Sequence, residues 1–170
     1  MSIKEIDFKS YNERDTVKSW VYVPIQKPRA VVQIVHGLGE HSRRYMHMIM
    51  KLNDAGFVVC ADDHVGHGKT ASDANTWGDL GDKGYMTTVE DEHTLRKLVT
   101  ADYPDLPYFM FGHSWGSIIA RIYATKYSEG MAGLIICGAP AKNRAFLGLI
   151  EKTRPYINQG KDNEVVFEII

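Results

Sequence analysis

Four short, mostly apolar runs alternate along this chain with segments of helical periodicity, and that alternation narrows the fold more than any other feature. Residues 31–35, 57–61, 108–111 and 134–137 read as strands buried on both faces, since they offer no polar side to solvent. Between them, Tyr45, Met48, Ile49 and Leu52 follow the i, i+3, i+4, i+7 rule, with Gly56 placed to end that helix. Thr87 and Glu90 have capping-box spacing ahead of an apolar stripe of Leu95, Leu98 and Val99, which stops near Pro104. Trp115, Ile118, Ile119 and Ile122 repeat the helical spacing. Strand, helix, strand, helix predicts an α/β chain with a mostly parallel sheet flanked by helices. Residues 3–9 and 17–23 instead alternate apolar with polar, and are expected as half-exposed antiparallel strands at the sheet's edge.

The totals exclude several function classes. A length of 170 residues is one domain's worth of chain, and 44% hydrophobic with 24% charged residues is ordinary for a globular protein. The formal charge is −1 with scattered basic residues, which leaves no electrostatic footprint for nucleic acid or an anionic membrane. No apolar stretch approaches the ~18 residues that span a bilayer. Met1-Ser2-Ile3-Lys4-Glu5 has no apolar core of a secretion signal, so a cytoplasmic protein is expected. Cys60 and Cys137 sit inside apolar runs and read as small buried hydrophobes in a reducing compartment.

Chemistry is concentrated in Gly112-His113-Ser114-Trp115-Gly116. A G-x-S-x-G pattern becomes specific when a buried strand precedes it and a helix follows, as here. A serine exposed on a sharp strand-to-helix turn needs a strained backbone, and glycine at 112 and 116 removes the side chains that would collide there. The following helix then turns its free N–H groups and positive dipole end toward a developing oxyanion. Ser114 is therefore the candidate nucleophile. His36-Gly37-Leu38-Gly39 follows the strand at 31–35 and is the candidate oxyanion loop. The backbone N–H groups of Leu38 and Trp115 are the expected donors, with Gly37 and Gly39 letting the main chain turn back toward the serine.

His36-Gly37-Leu38-Gly39-Glu40-His41, Asp63-His64-Val65-Gly66-His67-Gly68 and Gly112-His113-Ser114-Trp115-Gly116 together resemble the monoacylglycerol lipase and lysophospholipase group of α/β-hydrolases, in order and in spacing. The resemblance covers most of residues 30–140. It implies an α/β-hydrolase fold and hydrolysis of carboxylic esters, of the monoacylglycerol or lysophospholipid kind, through an acyl-enzyme on Ser114, with a small-molecule lipid or ester as partner and no cofactor. It also implies a helical lid inserted after the sixth strand. On that basis residues 1–143 are the N-terminal part of the hydrolase core and 144–170 the start of the lid, beginning near Arg144. Ser117, where the group often has glycine, and the bulky Trp115 depart from its pattern, and Trp115 bears on the shape of the acyl pocket.

A serine hydroxyl needs a base, and in this fold the order is Ser, then Asp or Glu, then His. All seven histidines precede Ser114. His113 adjoins it on the turn, but is expected to point away as a structural residue. Asp162 and Glu164 follow it in the lid region, not at a strand end. Residues 145–157 read as an amphipathic helix followed by a polar turn at 158–163, and the chain then closes on an apolar run at 165–170. The expectation is a chain cut short, lacking two strands and the triad's acid and base, inactive alone, and prone to self-association or complementation by the missing segment. Asp62, Asp63, His64 and His67 could be read as metal ligands. The resemblance explains them as a loop at the active-site rim, and no metal is expected. A thioesterase or aminopeptidase on the same elbow, or a non-catalytic acyl-binding pseudo-hydrolase, are the alternative readings.

Overall fold

The computed structural model describes residues 1–139 and 145–160. The chain divides into two compact units, Met1–Ala139 and Pro140–Ile170. In the first, six strands form one sheet: β1 (Ser2–Lys9), β2 (Thr16–Val23), β3 (Ala30–Val35), β4 (Phe57–Asp63), β5 (Tyr108–His113) and β6 (Met131–Cys137), in the spatial order β1-β2-β4-β3-β5-β6. Helix α1 (Met46–Asp54) connects β3 to β4, and α2 (Gly68–Ala74) and α3 (Met86–Asp102) connect β4 to β5. Helix α4 (Trp115–Tyr127) joins β5 to β6. The pairs β4–β3, β3–β5 and β5–β6 are parallel, while β1–β2 and β2–β4 are antiparallel.

Alternation along each strand divides the core in two. Val31, Val35, Val58, Cys60 and Met110 share one buried cluster with Leu95 and Val99 of α3 and Ile119 and Tyr123 of α4. Val32, Ile34, Val59 and Ala61 join Trp20, Tyr22 and Ile49 of α1 in the other cluster. A strand with period two feeds both sides at once, which is why the inner strands read as unbroken apolar runs. Gln33 is the exception inside β3. Its amide reaches α3 by donating to the Glu92 carbonyl at 3.0 Å and to the Glu92 carboxylate, and its oxygen accepts from Tyr108 Oη at 2.8 Å.

Several sequence expectations need correction. Strand β2 is not a half-exposed edge: it lies between β1 and β4, and Val17, Ser19, Trp20, Val21 and Tyr22 are all buried. The capping box at Thr87 and Glu90 does not form. Thr87 Oγ1 donates to the Leu80 carbonyl, and Glu90 bonds Lys126 and Tyr127 instead. Leu98 lies outside the buried stripe at 40% exposure; the residues α3 buries toward the core include Thr88, Glu92, Leu95 and Val99. Cys137 is exposed, unlike Cys60, because β6 is the terminal strand of the sheet. Helix α1 ends as expected, with Gly56 at φ +88° just beyond its C-cap.

The second unit contains α5 (Ala145–Asn158), which carries Pro155. The expected lid start near Arg144 and the apolar run at 165–170, with Asp162 and Glu164, lie outside the described residues.

Candidate active site

Ser114 occupies the turn between β5 and α4 with φ +52° and ψ −117°. A non-glycine residue at that φ is strained by of order 1–3 kcal/mol and persists only where its surroundings hold it. Here they do. The Ser114 backbone N–H donates to the Cys137 carbonyl at 2.9 Å, and its carbonyl accepts from the Ser117 N–H at 3.0 Å and from Ser117 Oγ at 2.5 Å. A Cβ on Gly112 would stand 2.5 Å from the Gly116 carbonyl oxygen, and one on Gly116 would stand 2.1 Å from that of Val35. Both glycines are therefore required by close backbone approach. Ser114 stands at the helix N-cap, yet its side chain makes no capping bond, so the hydroxyl is not serving as a cap.

The loop after β3 reaches the same place. A Cβ on Gly37 would lie 3.2 Å from Ser114 Cβ, which puts the loop's main chain directly against the serine. Gly37's own N–H donates to Glu40 Oε1 at 2.6 Å, leaving the next amide, that of Leu38, as the loop's candidate oxyanion donor. The Leu38 side chain is 71% exposed, as fits a residue contributing only main chain. Gly39 takes φ +70°. Trp115 opens α4, and its ring stacks on His67 at 5.2 Å and meets His64 edge-on at 5.6 Å. Its bulk is thus packed against the Asp63–Gly68 loop.

Three polar groups brace the loop. Glu40 also accepts from Tyr45 Oη at 2.5 Å and lies 3.4 Å from His113 Nδ1. Burial opposes its charge, but the bonds from Tyr45 and Gly37 hold its pKa below the ordinary value. His113 Nδ1 is 2.8 Å from Tyr45 Oη, which gives it the structural role expected for it. Asp63 accepts from the Ser42 N–H and hydroxyl at 2.9 and 2.7 Å and from the Lys69 N–H at 2.7 Å, tying the loop after β3 to α2. Among the described residues, Ser114 Oγ makes no hydrogen bond to an imidazole or a carboxylate.

Of the four residues weighed as metal ligands, the fold gathers only Asp62 and His64, and adds Glu92 from α3. One ligand atom from each lies within 4.8 Å of the others, and all three residues are buried. Asp63 is occupied as described, and His67 Nδ1 lies 3.1 Å from the Val65 carbonyl. Sequence reasoning missed Glu92, Glu40 and Gln33. Glu92 had a usable signal, since it falls on the buried helical stripe with Thr88, Leu95 and Val99.

A strand-to-helix turn bearing a strained serine, faced by the loop after β3 at the carboxyl ends of parallel strands, defines an α/β-hydrolase. Residues 26–157 match the family described as "Serine aminopeptidase, S33", and the chain belongs to that family. It is 36% identical over 123 residues to a monoacylglycerol lipase from Mycolicibacterium smegmatis, an alignment covering 72% of this chain and 42% of the relative. A thermostable carboxyl esterase from Bacillus coagulans, solved with glycerol, is 58% identical with a TM-score of 0.89, covering 99% of this chain and 54% of that one. A structure described as "Lipase (Open form)" is 48% identical with a TM-score of 0.84, covering 90% and 51%. The chain therefore spans about half or less of these relatives' length.

Proposed function

We propose that this chain carries the nucleophile and the oxyanion donors of a serine hydrolase for carboxylic esters of the monoacylglycerol or lysophospholipid kind. The observation that carries the reading is Ser114 at φ +52° with no capping bond, set against Gly37 at the N-terminus of α4. In this reading Ser114 Oγ attacks the ester carbonyl carbon as its proton passes to a base. The carbonyl oxygen becomes an oxyanion received by the N–H groups of Leu38 and Trp115. Collapse expels the alcohol, which takes the proton back, and leaves an acyl group on Ser114. Water then attacks that acyl-enzyme, releasing the acid and restoring the serine. The reading assigns the base and its acid partner to residues outside the described ones, and residues 144–170 to the start of a lid. A cleft of about 320 Å³ lined in part by Leu38, Glu40, His41, His67 and Trp77 adjoins the oxyanion loop, where α/β sheets hold ligands.

The lipase and esterase names of the relatives support an ester over other acyl groups, while the family's description keeps an amide substrate as the second reading. Cytoplasmic placement is supported by the two cysteines, Cys60 and Cys137, neither of which is in a disulfide, as is usual in reducing compartments. Among the described residues no helix is long and apolar enough to cross a membrane. The test is a serine-directed fluorophosphonate and a panel of esters, thioesters and anilides on the native protein. Ser114→Ala should abolish labelling and lower kcat by several orders of magnitude, up to about 10⁶-fold. Retained turnover in Ser114→Ala would sink the assignment, and tight acyl binding without turnover in the unmutated protein would mean a binding module.

A further inference from the structure

Behind the oxyanion loop lies a buried polar cluster that the proposed chemistry does not use. His64 is 1% exposed and Asp62 and Glu92 are fully buried. Two hydrogen bonds link His64 to His36 in opposite senses. The His64 backbone N–H donates to His36 Nε2 at 3.1 Å, and His64 Nε2 stands 3.2 Å from the His36 carbonyl oxygen, with the rings stacked at 3.7 Å. The first bond makes His36 Nε2 an acceptor, so the His36 proton is on Nδ1, where it donates to the Gly37 carbonyl at 2.8 Å. In a trans peptide the Gly37 carbonyl and the Leu38 N–H point in opposite directions. Holding the one away from Ser114 therefore aims the other.

The second bond needs a proton on His64 Nε2. On the ring's other side, His64 Nδ1 is 3.2 Å from Asp62 Oδ1 and 3.4 Å from Glu92 Oε1. Its hydrogen bond to Asp62 runs to Oδ2 at 3.3 Å, and Asp62 Oδ1 and Glu92 Oε1 have no hydrogen-bond partner among the described residues. A bare ring nitrogen there would set its lone pair against the two Asp62 oxygens at 3.2 and 3.3 Å, whereas a protonated one donates to them. The His36 carbonyl is also the point where the elbow presses in, since a Cβ on Gly116 would stand 2.4 Å from it.

We propose that His64 is a positioning residue of the oxyanion hole: a doubly protonated ring, anchored by Asp62 and Glu92, that clamps the His36 carbonyl and so fixes the direction of the Leu38 N–H. Six titratable groups surround it. They are Asp62 and Asp63 of β4, Asp91 and Glu92 of α3, and His36 and His67 of the flanking loops. Burial disfavours charge on His64, but Asp62 by charge and hydrogen bond, with Asp63, raises its pKa above the ordinary value. Burial, and then the negative charge of Asp62, raises that of Glu92. Burial, and then His64, lowers that of His36, which stays neutral.

The inference rests on Leu38 as an oxyanion donor, so its test reads the ring directly as well as reactivity. In the uniformly ¹⁵N-labelled chain at pH 7, both ring nitrogens of His64 should be protonated and only Nδ1 of His36. As pH rises through the His64 titration, the backbone amide signals of Gly37 and Leu38 should shift in step. His64→Gln, whose amide can still donate to the His36 carbonyl, should keep those signals near the unmutated pattern, while His64→Leu should not. An unprotonated His64 Nδ1 at pH 7, or loop amides indifferent to its titration, overturns the proposal. Where the unmutated protein labels with fluorophosphonate, His64→Leu should label about 10²-fold more slowly, the scale of one lost oxyanion donor, and equal rates overturn it. No labelling of the native full-length protein at all would count against Ser114 as nucleophile, while the ring-nitrogen result would still decide the role of His64.

Discussion

Leu38 shows how much of this site is main chain. Its side chain lies in solvent, and the proposed contribution is one N–H. Leu38→Ala should leave kcat nearly unchanged in the native enzyme, whereas Leu38→Pro deletes the donor and should lower kcat about 10²–10³-fold. Equal losses in two folded variants, read by steady-state kinetics and circular dichroism, would move the donor elsewhere. Asp91 tests electrostatics at the same scale. Its oxygens accept from Ser10 Oγ at 2.8 Å and the Tyr11 N–H at 2.7 Å, yet burial pushes its pKa from 3.8 up to about 7. A carboxyl whose folded pKa is raised favours the fold fully below its unfolded value. That contribution fades as pH climbs from about 4 through 7. Asp91→Asn, which never ionises, should match the unmutated protein near pH 4 and exceed its stability at pH 8 by up to about 4 kcal/mol. Urea midpoints at the two pH values decide it, and a gap that fails to grow with pH refutes the buried-carboxyl account.

Among the elements, α4 is placed by its glycine. Gly116 lies on the Val35 and His36 carbonyl oxygens at the end of β3, and that contact brings the nucleophile's helix against the oxyanion loop. The obstacle to a Cβ at 2.1 Å is backbone, which has no rotamer to escape into. Gly116→Ala should destabilise the fold by about 2–4 kcal/mol and lower activity beyond the unfolded fraction. A variant with unchanged melting temperature would mean that α4 can slide away at no expense. Helix α3 teaches the opposite lesson about local signals. Thr87 and Glu90 have the right spacing for a capping box, but tertiary partners, the Leu80 carbonyl and Lys126 with Tyr127, outcompete it. A cap is worth about 1 kcal/mol, so a long-range partner easily displaces it.

At the largest scale, the consequential fact is that β6 is the terminal strand of the sheet among the described residues. Ile135 is 50% exposed and joins Val32, Met48, Leu52, Phe57, Phe109 and Phe111 around an apolar cavity of about 400 Å³ on the α1 side of the sheet. A terminal strand with an apolar face recruits other chains. The 170-residue chain should therefore self-associate, and Ile135→Lys should shift it toward monomer in light-scattering measurements; a chain that is monomeric without the substitution refutes this. Local pattern was enough for the order of the strands and of α1, α3, α4 and α5, for the elbow at Ser114 and for the loop at His36–Gly39, because periodicity and glycine spacing survive without knowledge of neighbours; α2 carried no such signal. The assembled sheet alone places β2 in the interior, leaves Cys137 exposed and brings Glu92 to Asp62 and His64. Those facts depend on which strand lies beside which and which helix crosses over them, and residues nearly thirty positions apart or more acquire a common environment only when the sheet is assembled.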